Sequence, residues 1–145
     1  MCIVAFAWKA HPRWQLVAIG NRDELHARPA EGARRWKEPD HLLAGRDTLA
    51  GGTWLGISEQ GRFAVVTNLY GFGPPKPERA SRGDLLKDFL SGSGRYSDIA
   101  GAEYSDFNPF NLITVAEGEA LVHTNRPDKT TSMLDRGIHG LSNGD

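Results

Sequence analysis

An apolar run opens the chain and constrains its fold more than any later stretch: Met1-Cys2-Ile3-Val4-Ala5-Phe6-Ala7-Trp8. β-Branched and aromatic residues dominate it and nothing polar interrupts it, which predicts a strand buried on both faces. Chain ends ordinarily stay in solvent and fray, so a first strand that belongs in the core implies a terminus wanted inside the fold. What the run carries inward is Cys2, the one cysteine of the sequence. Its small side chain is compatible with removal of Met1, which leaves Cys2 with both a thiol and a free α-amine. An amine with a pKa of about 7.7 to 8 can take the proton of a thiol with a pKa of about 8.5. Taken alone, the terminus reads more simply, as a small buried hydrophobe of the kind free cysteines commonly are.

A second strand pattern, Trp14 to Ile19, follows a polar Lys9–Arg13 stretch containing Pro12, so the two runs are expected to form a hairpin. The end of its second arm then lies beside the start of its first, which brings Arg22 and Asp23 of the Asn21-Arg22-Asp23-Glu24 run close to Cys2. An arginine beside a thiol favours the thiolate, and a carboxylate can hold an α-amine in place. Without the hairpin the same run is a charged turn whose residues pair with each other at the surface.

The chain is long enough for one ordinary core, and a single domain over residues 1–145 is expected. Its 17 basic and 18 acidic residues are well mixed, which gives no electrostatic case for nucleic acid or for a membrane surface. The opening run lacks a basic flank and is too short to span a bilayer, so neither a signal peptide nor stable membrane insertion is expected. A lone cysteine forms no internal disulfide, which fits a reducing, cytoplasmic setting.

Farther along, Ala27 to Leu43 reads as a loop that could roof a pocket, with Arg34-Arg35-Trp36-Lys37 taken as solvated surface or, less often, as an anion contact. The glycines of Ala44-Gly45-Arg46-Asp47 and Gly51-Gly52-Thr53-Trp54 match neither a P-loop nor a dinucleotide fingerprint. Trp54–Ser58 and Arg62–Leu69 form the clearest hairpin, whose second arm ends in Asn68. That amide either ties down the next loop or donates to a developing oxyanion. The Gly71-Phe72-Gly73-Pro74-Pro75 loop after it is stiff enough to border a site. Ser81 caps a helix over Arg82–Leu90 that Gly92 stops, and a weaker helix is expected from Arg95 to about Tyr104. Phe110–Val115 and Ala120–Thr124 make a third hairpin, and a last short strand runs toward Leu141-Ser142-Asn143. Strands, then helices, then strands predict an α+β architecture of largely antiparallel sheets with outer helices.

The ordered series Met1-Cys2-Ile3-Val4, Asn21-Arg22-Asp23-Glu24, Ala44-Gly45-Arg46-Asp47, Gly51-Gly52-Thr53-Trp54-Leu55-Gly56, Thr67-Asn68 and Gly140-Leu141-Ser142-Asn143 resembles the NRDE family. That family includes the transport and Golgi organisation proteins of eukaryotes, and the resemblance covers essentially the whole chain. More remotely, the pattern is similar to N-terminal-nucleophile hydrolases of the bile-salt hydrolase and penicillin V acylase type, whose fold is an αββα sandwich. The similarity implies Cys2 as nucleophile with its freed amine as general base, Arg22 beside the thiolate and Asp23 orienting the amine. It implies Asn68 as donor to the oxyanion and Asn143 as holder of the substrate or the amine. Asn21, Trp54 and Tyr70 complete the set as substrate-binding candidates. A further arginine of the hydrolase set has no counterpart, because the family continues past this point while the chain stops at Asp145; the sandwich is therefore expected to be truncated, the N-terminal portion of its domain.

The implied activity is hydrolysis of a linear amide C–N bond of a small molecule, with no cofactor. The alternative is a non-catalytic carrier on the same scaffold, because the resemblance also associates the family with haem trafficking and acyl or lipid homeostasis. Haem iron would then be ligated by Cys2 or by one of His11, His26, His41, His123 and His139. No histidines stand at metal-motif spacing and no covalent-haem motif is present, so no metal site is expected. An uncovered sheet edge at a true terminus would invite a partner chain, and homo-oligomerisation is one remedy.

Overall fold

Alternation, and not two-sided burial, governs the opening strand. In the computed structural model, which describes residues 1–144, β1 (Ile3–Trp8) turns Val4, Phe6 and Trp8 inward, each 3% exposed, while Ile3 on the other face is 45% exposed. Asp145, read above as the point where the chain stops short of its family, lies outside the described residues. β1 pairs antiparallel with β2 (Leu16–Asn21) on one side and with β10 (Gly137–Ser142) on the other. Among the described residues this three-stranded sheet has a partner layer on one face only, so the inward residues of β1 are buried and Ile3, Val17, Ile19 and Ile138 are left exposed.

The partner layer is a seven-stranded antiparallel sheet in the order β3 (Ala30–Arg35), β4 (Leu42–Asp47), β5 (Leu55–Ser58), β6 (Phe63–Asn68), β7 (Phe110–Ala116), β8 (Glu119–Thr124), β9 (Thr130–Met133). Its central strands are the ones buried on both faces. Phe63, Val65, Ile113 and Val115 meet Val4, Phe6 and Trp8 between the sheets, while Ala64, Phe110 and Leu112 face the helical side. That side is covered by α1 (Arg82–Ser91), whose Leu85, Leu86 and Leu90 are fully buried against it. Ser81 Oγ accepts the Gly83 N–H at the start of α1, and Gly92 ends it in the left-handed conformation, as the sequence predicts.

Three expectations are corrected. The Ala27–Leu43 stretch contains β3 and runs into β4, and Trp36 is core: 3% exposed, it donates its indole N–H to the Ala44 carbonyl at 3.0 Å, with the Arg46 guanidinium over its ring. The Arg95–Tyr104 helix is absent. That segment packs Tyr96, Ile99, Ala102 and Tyr104 into the core through a chain of turns, ending in a 3-10 turn at Tyr104–Asp106. β9 was not anticipated. The layers among the described residues are therefore helix, large sheet and small sheet, and Cys2 lies just before the start of β1.

Candidate active site

Register decides what surrounds Cys2. Ile3 pairs with Asn21 across β1–β2 and with Ser142 across β1–β10, so Cys2 falls between the residues that follow β2 and those that follow β10. The Asp23 N–H donates to Cys2 Sγ at 3.3 Å, and the thiol lies 3.6 Å from the Asp23 carbonyl oxygen. The Asp23 carboxylate forms an ion pair with the α-ammonium of Met1, and Asn21 Nδ2 donates to the Met1 carbonyl at 3.1 Å. The hairpin geometry argued from the sequence thus places Asn21 and Asp23 around the terminus. On the other side, the Asn143 N–H donates to the Cys2 carbonyl at 3.2 Å.

Cys2 opens into a cleft of about 570 Å³ bounded by the start of β1, the end of β2, β6, the loop after it and the first turn of α1. Arg22 stands over the Trp54 ring at 4.3 Å and lies 3.6 Å from Glu24 and 3.7 Å from Asp47. Arg28 completes the group, 2.7 Å from Asp47. Burial tends to raise the Asp47 carboxyl, but the N–H groups of Leu49 and Ala50 and the Arg28 guanidinium outweigh it and hold the group below its ordinary range. Arg22 is therefore pinned by two carboxylates and an indole.

Two close approaches set this geometry. A Cβ on Gly45 would lie 2.9 Å from the Trp54 ring, and a Cβ on Gly52 would lie 2.4 Å from the Gly83 backbone. Glycine at the first lets the indole lie under Arg22; glycine at the second lets the start of α1 press against the cleft wall.

Cys2 is 8% exposed as a residue, and burial pushes the pKa of its thiol up from the ordinary value. The Met1 ammonium, Arg22 and Arg82 pull it back down, and Glu24 opposes them. Asn68 lines the cleft, and its amide makes no hydrogen bond with another described side chain or backbone group, which leaves it free to face a ligand. Tyr70 and Asn143 do not line the cleft. Tyr70 is 54% exposed, and its backbone N–H ties it to the Asn143 carbonyl. Asn143 is fully buried, and its side-chain Oδ1 and Nδ2 find no partner among the described residues.

Sequence reasoning missed Arg28, Asp47 and Arg82. Asp47 stood in a quoted motif without a role, and Arg82 was counted only as a helix residue, although it occupies the N-terminal turn that faces Cys2. None of the five histidines lines the cleft: His123 is buried between Thr114 and Thr131, and His139 stacks on Phe6. Among the described residues, no three His, Cys, Asp or Glu side chains gather as a metal-ion cluster. No helix among them is long and apolar enough to cross a membrane.

A family model described as Transport and Golgi organisation 2 matches residues 1–145. The chain belongs to the Transport and Golgi organisation 2 family. The Bos taurus Transport and Golgi organization protein 2 homolog is 34% identical over 160 residues, covering 99% of this chain and 57% of the bovine protein. The Drosophila melanogaster Transport and Golgi organization protein 2 is 29% identical over 134 residues, covering 83% of this chain and 47% of its own length. The chain thus spans about half the length of these relatives. Among solved structures, the Caenorhabditis elegans N-acylethanolamine-hydrolyzing acid amidase ortholog superposes with a TM-score of 0.57 over 99% of this chain and 70% of its own, at 13% identity. This member of the Transport and Golgi organisation 2 family therefore has an N-terminal-nucleophile-hydrolase-like fold of antiparallel sheets with an outer helix.

Proposed function

We propose that the protein hydrolyses a linear amide of a small molecule, with Cys2 as nucleophile and its own α-amine, freed by removal of Met1, as general base. The observation that carries this reading is the placement of the chain terminus. The residue that would become the first lies at the mouth of a cleft, its thiol held by the Asp23 N–H and its preceding amine already seated on the Asp23 carboxylate.

In this mechanism the α-amine takes the thiol proton and the thiolate attacks the amide carbonyl carbon. Negative charge moves to the carbonyl oxygen, where the Asn68 amide donates a hydrogen bond. Collapse breaks the C–N bond; the α-ammonium returns its proton to the departing amine, leaving an acyl thioester on Cys2. Water, deprotonated by the same α-amine, attacks the thioester, and release of the carboxylic acid restores the thiol. A thiol whose pKa is raised by burial needs this neighbouring base at neutral pH, because little thiolate is present without it. Arg22 favours the thiolate once formed, and Asp23 keeps the amine within reach of the sulfur.

The resemblance in fold to an amidase supports the reaction class. Activity against a panel of N-acyl amides tests the proposal. Cys2→Ala is expected to abolish turnover, and Cys2→Ser to lower kcat by about 100-fold or more, since a hydroxyl is far harder to deprotonate than a thiol. Undiminished turnover by Cys2→Ala would remove Cys2 from the chemistry.

A further inference from the structure

Four strands meet at Cys2, and each brings one polar side chain into the space between the sheets. Alternation sets this. Val4 and Phe6 of β1, Phe63 and Val65 of β6, and Ile113 and Val115 of β7 face one another across the sandwich, with Leu141 of β10 packed against them. Two residues farther toward the same end stand Cys2, Thr67, Asn111 and Asn143, which therefore share that inner face.

Register draws the group together. Thr67 pairs with Asn111 across β6–β7, and the Asn143 N–H donates to the Cys2 carbonyl at 3.2 Å, one step beyond the Ile3–Ser142 pair. Directly opposed residues on one face of a sheet have Cβ atoms about 5 Å apart. Two bonds join the sheets here: Asn111 Nδ2 donates to the Ser142 carbonyl at 3.4 Å, and the Tyr70 N–H to the Asn143 carbonyl at 3.2 Å.

What the group lacks is internal pairing. Thr67 is 1% exposed and Asn143 is fully buried, yet Thr67 Oγ1 and both Oδ1 and Nδ2 of Asn143 have no hydrogen-bond partner among the described residues. Buried unpaired polarity is thus concentrated behind Cys2. A buried hydroxyl or amide without a partner is costly, and a site offering roughly two to four polar groups is what an ordered water requires. Cys2 and Thr67 line the cleft, whereas Asn143 does not. A molecule in the cleft reaches the thiol and the hydroxyl, and only a very small ligand bridges from that hydroxyl to the amide behind.

We propose that Thr67 and Asn143 hold a water molecule beside Cys2, and that this water resolves the acyl thioester. Thr67 is then a positioning residue, acting through the water. This rests on the reading of Cys2 as the nucleophile. The water oxygen attacks the thioester carbonyl carbon and its proton passes to the Cys2 α-amine. The C–S bond breaks, the α-ammonium returns the proton to the thiolate, and the carboxylic acid leaves.

A high-resolution crystal structure of the unmutated protein is expected to show an ordered water within hydrogen-bond distance of both Thr67 Oγ1 and the Asn143 amide. A direct bond between the two side chains, or no such water, would overturn the proposal, and this measurement needs no variant to fold. A kinetic arm loads the thiol with p-nitrophenyl octanoate and follows the acylated chain by intact mass. Thr67→Val, close in shape but without the hydroxyl, should acylate within about twofold of the unmutated rate and lose its acyl group on the order of tenfold more slowly. Thr67→Ser should restore the decay. Unchanged decay in Thr67→Val, or equal slowing of both steps, would remove Thr67 from the role. The two readings separate cleanly. An ordered water with no acyl group loaded keeps the water site and sinks the hydrolase, whereas a loaded thiol whose decay ignores Thr67→Val keeps the nucleophile and sinks the water's role.

Discussion

Arg22 shows how a single side chain is made useful by what surrounds it. Glu24 and Asp47 hold its guanidinium over Trp54, beside a thiol that burial alone would leave protonated. Arg22→Gln removes one of the charges that lower the thiol pKa, so less thiolate is expected at neutral pH and alkylation should slow. The pH dependence of Cys2 alkylation in the folded protein reads this directly; an unmoved profile would show that Arg22 does not act on the sulfur. At this scale much was legible in the sequence. The hairpin argument put Arg22 and Asp23 near Cys2 because antiparallel pairing leaves little choice of register. Tyr70 and Asn143 were harder, since which way a residue just past a strand end turns depends on loops that periodicity does not describe.

Among the elements, those with two-sided or amphipathic burial were readable and those held by side chains were not. β3 and β9 are exposed edge strands, the first with a bulge between Glu31 and Arg34, and neither has an apolar alternation to read. Tyr96, Ile99 and Ala102 recur at a spacing that mimics a helix. The backbone there is instead held by carboxylates: Asp88 accepts the Tyr96 N–H at 3.1 Å and Asp98 accepts the Ala100 N–H at 3.0 Å. The start of α1 is the element-scale device of the site. Gly52→Ala drives a methyl group into the Gly83 backbone, and overpacking of this kind costs about 1–3 kcal/mol. The expected outcome is a lowered melting temperature together with a displaced Arg82, seen as a fall in thiol reactivity. Loss of stability with an intact site would mean that the contact serves packing alone.

At the scale of the whole molecule, acid should loosen the fold through His123. Its ring is buried, with Nε2 bonded to Thr114 at 2.8 Å and Nδ1 to Thr131 at 3.0 Å, tying β7, β8 and β9 together. Burial, aided by Lys129, lowers its pKa from 6.5 to about 4. Between those values the unfolded chain binds a proton that the folded chain refuses, so this contribution to stability is complete above pH 6.5 and falls as the pH drops toward 4. The slope reaches about 1.4 kcal/mol per pH unit at most. Urea unfolding at pH 7 and pH 5 should show a loss that His123→Gln largely removes; equal losses in both proteins would assign the acid sensitivity elsewhere. The antiparallel α+β architecture was legible from the order of strand and helix patterns, and its layering followed only from the family resemblance. The apolar outer face of the small sheet was not, because a strand of continuous apolar residues reads the same whether its second face is covered or open.

Intact-mass analysis of the purified protein, mixed with an N-acyl amide and quenched in acid within the first turnover, reads the nucleophile itself. The expected species is a chain lacking Met1 and carrying one acyl group that maps to Cys2, absent from the Cys2→Ala protein. A chain that retains Met1 yet still turns over the amide, or turnover with no acyl group on Cys2, would contradict it.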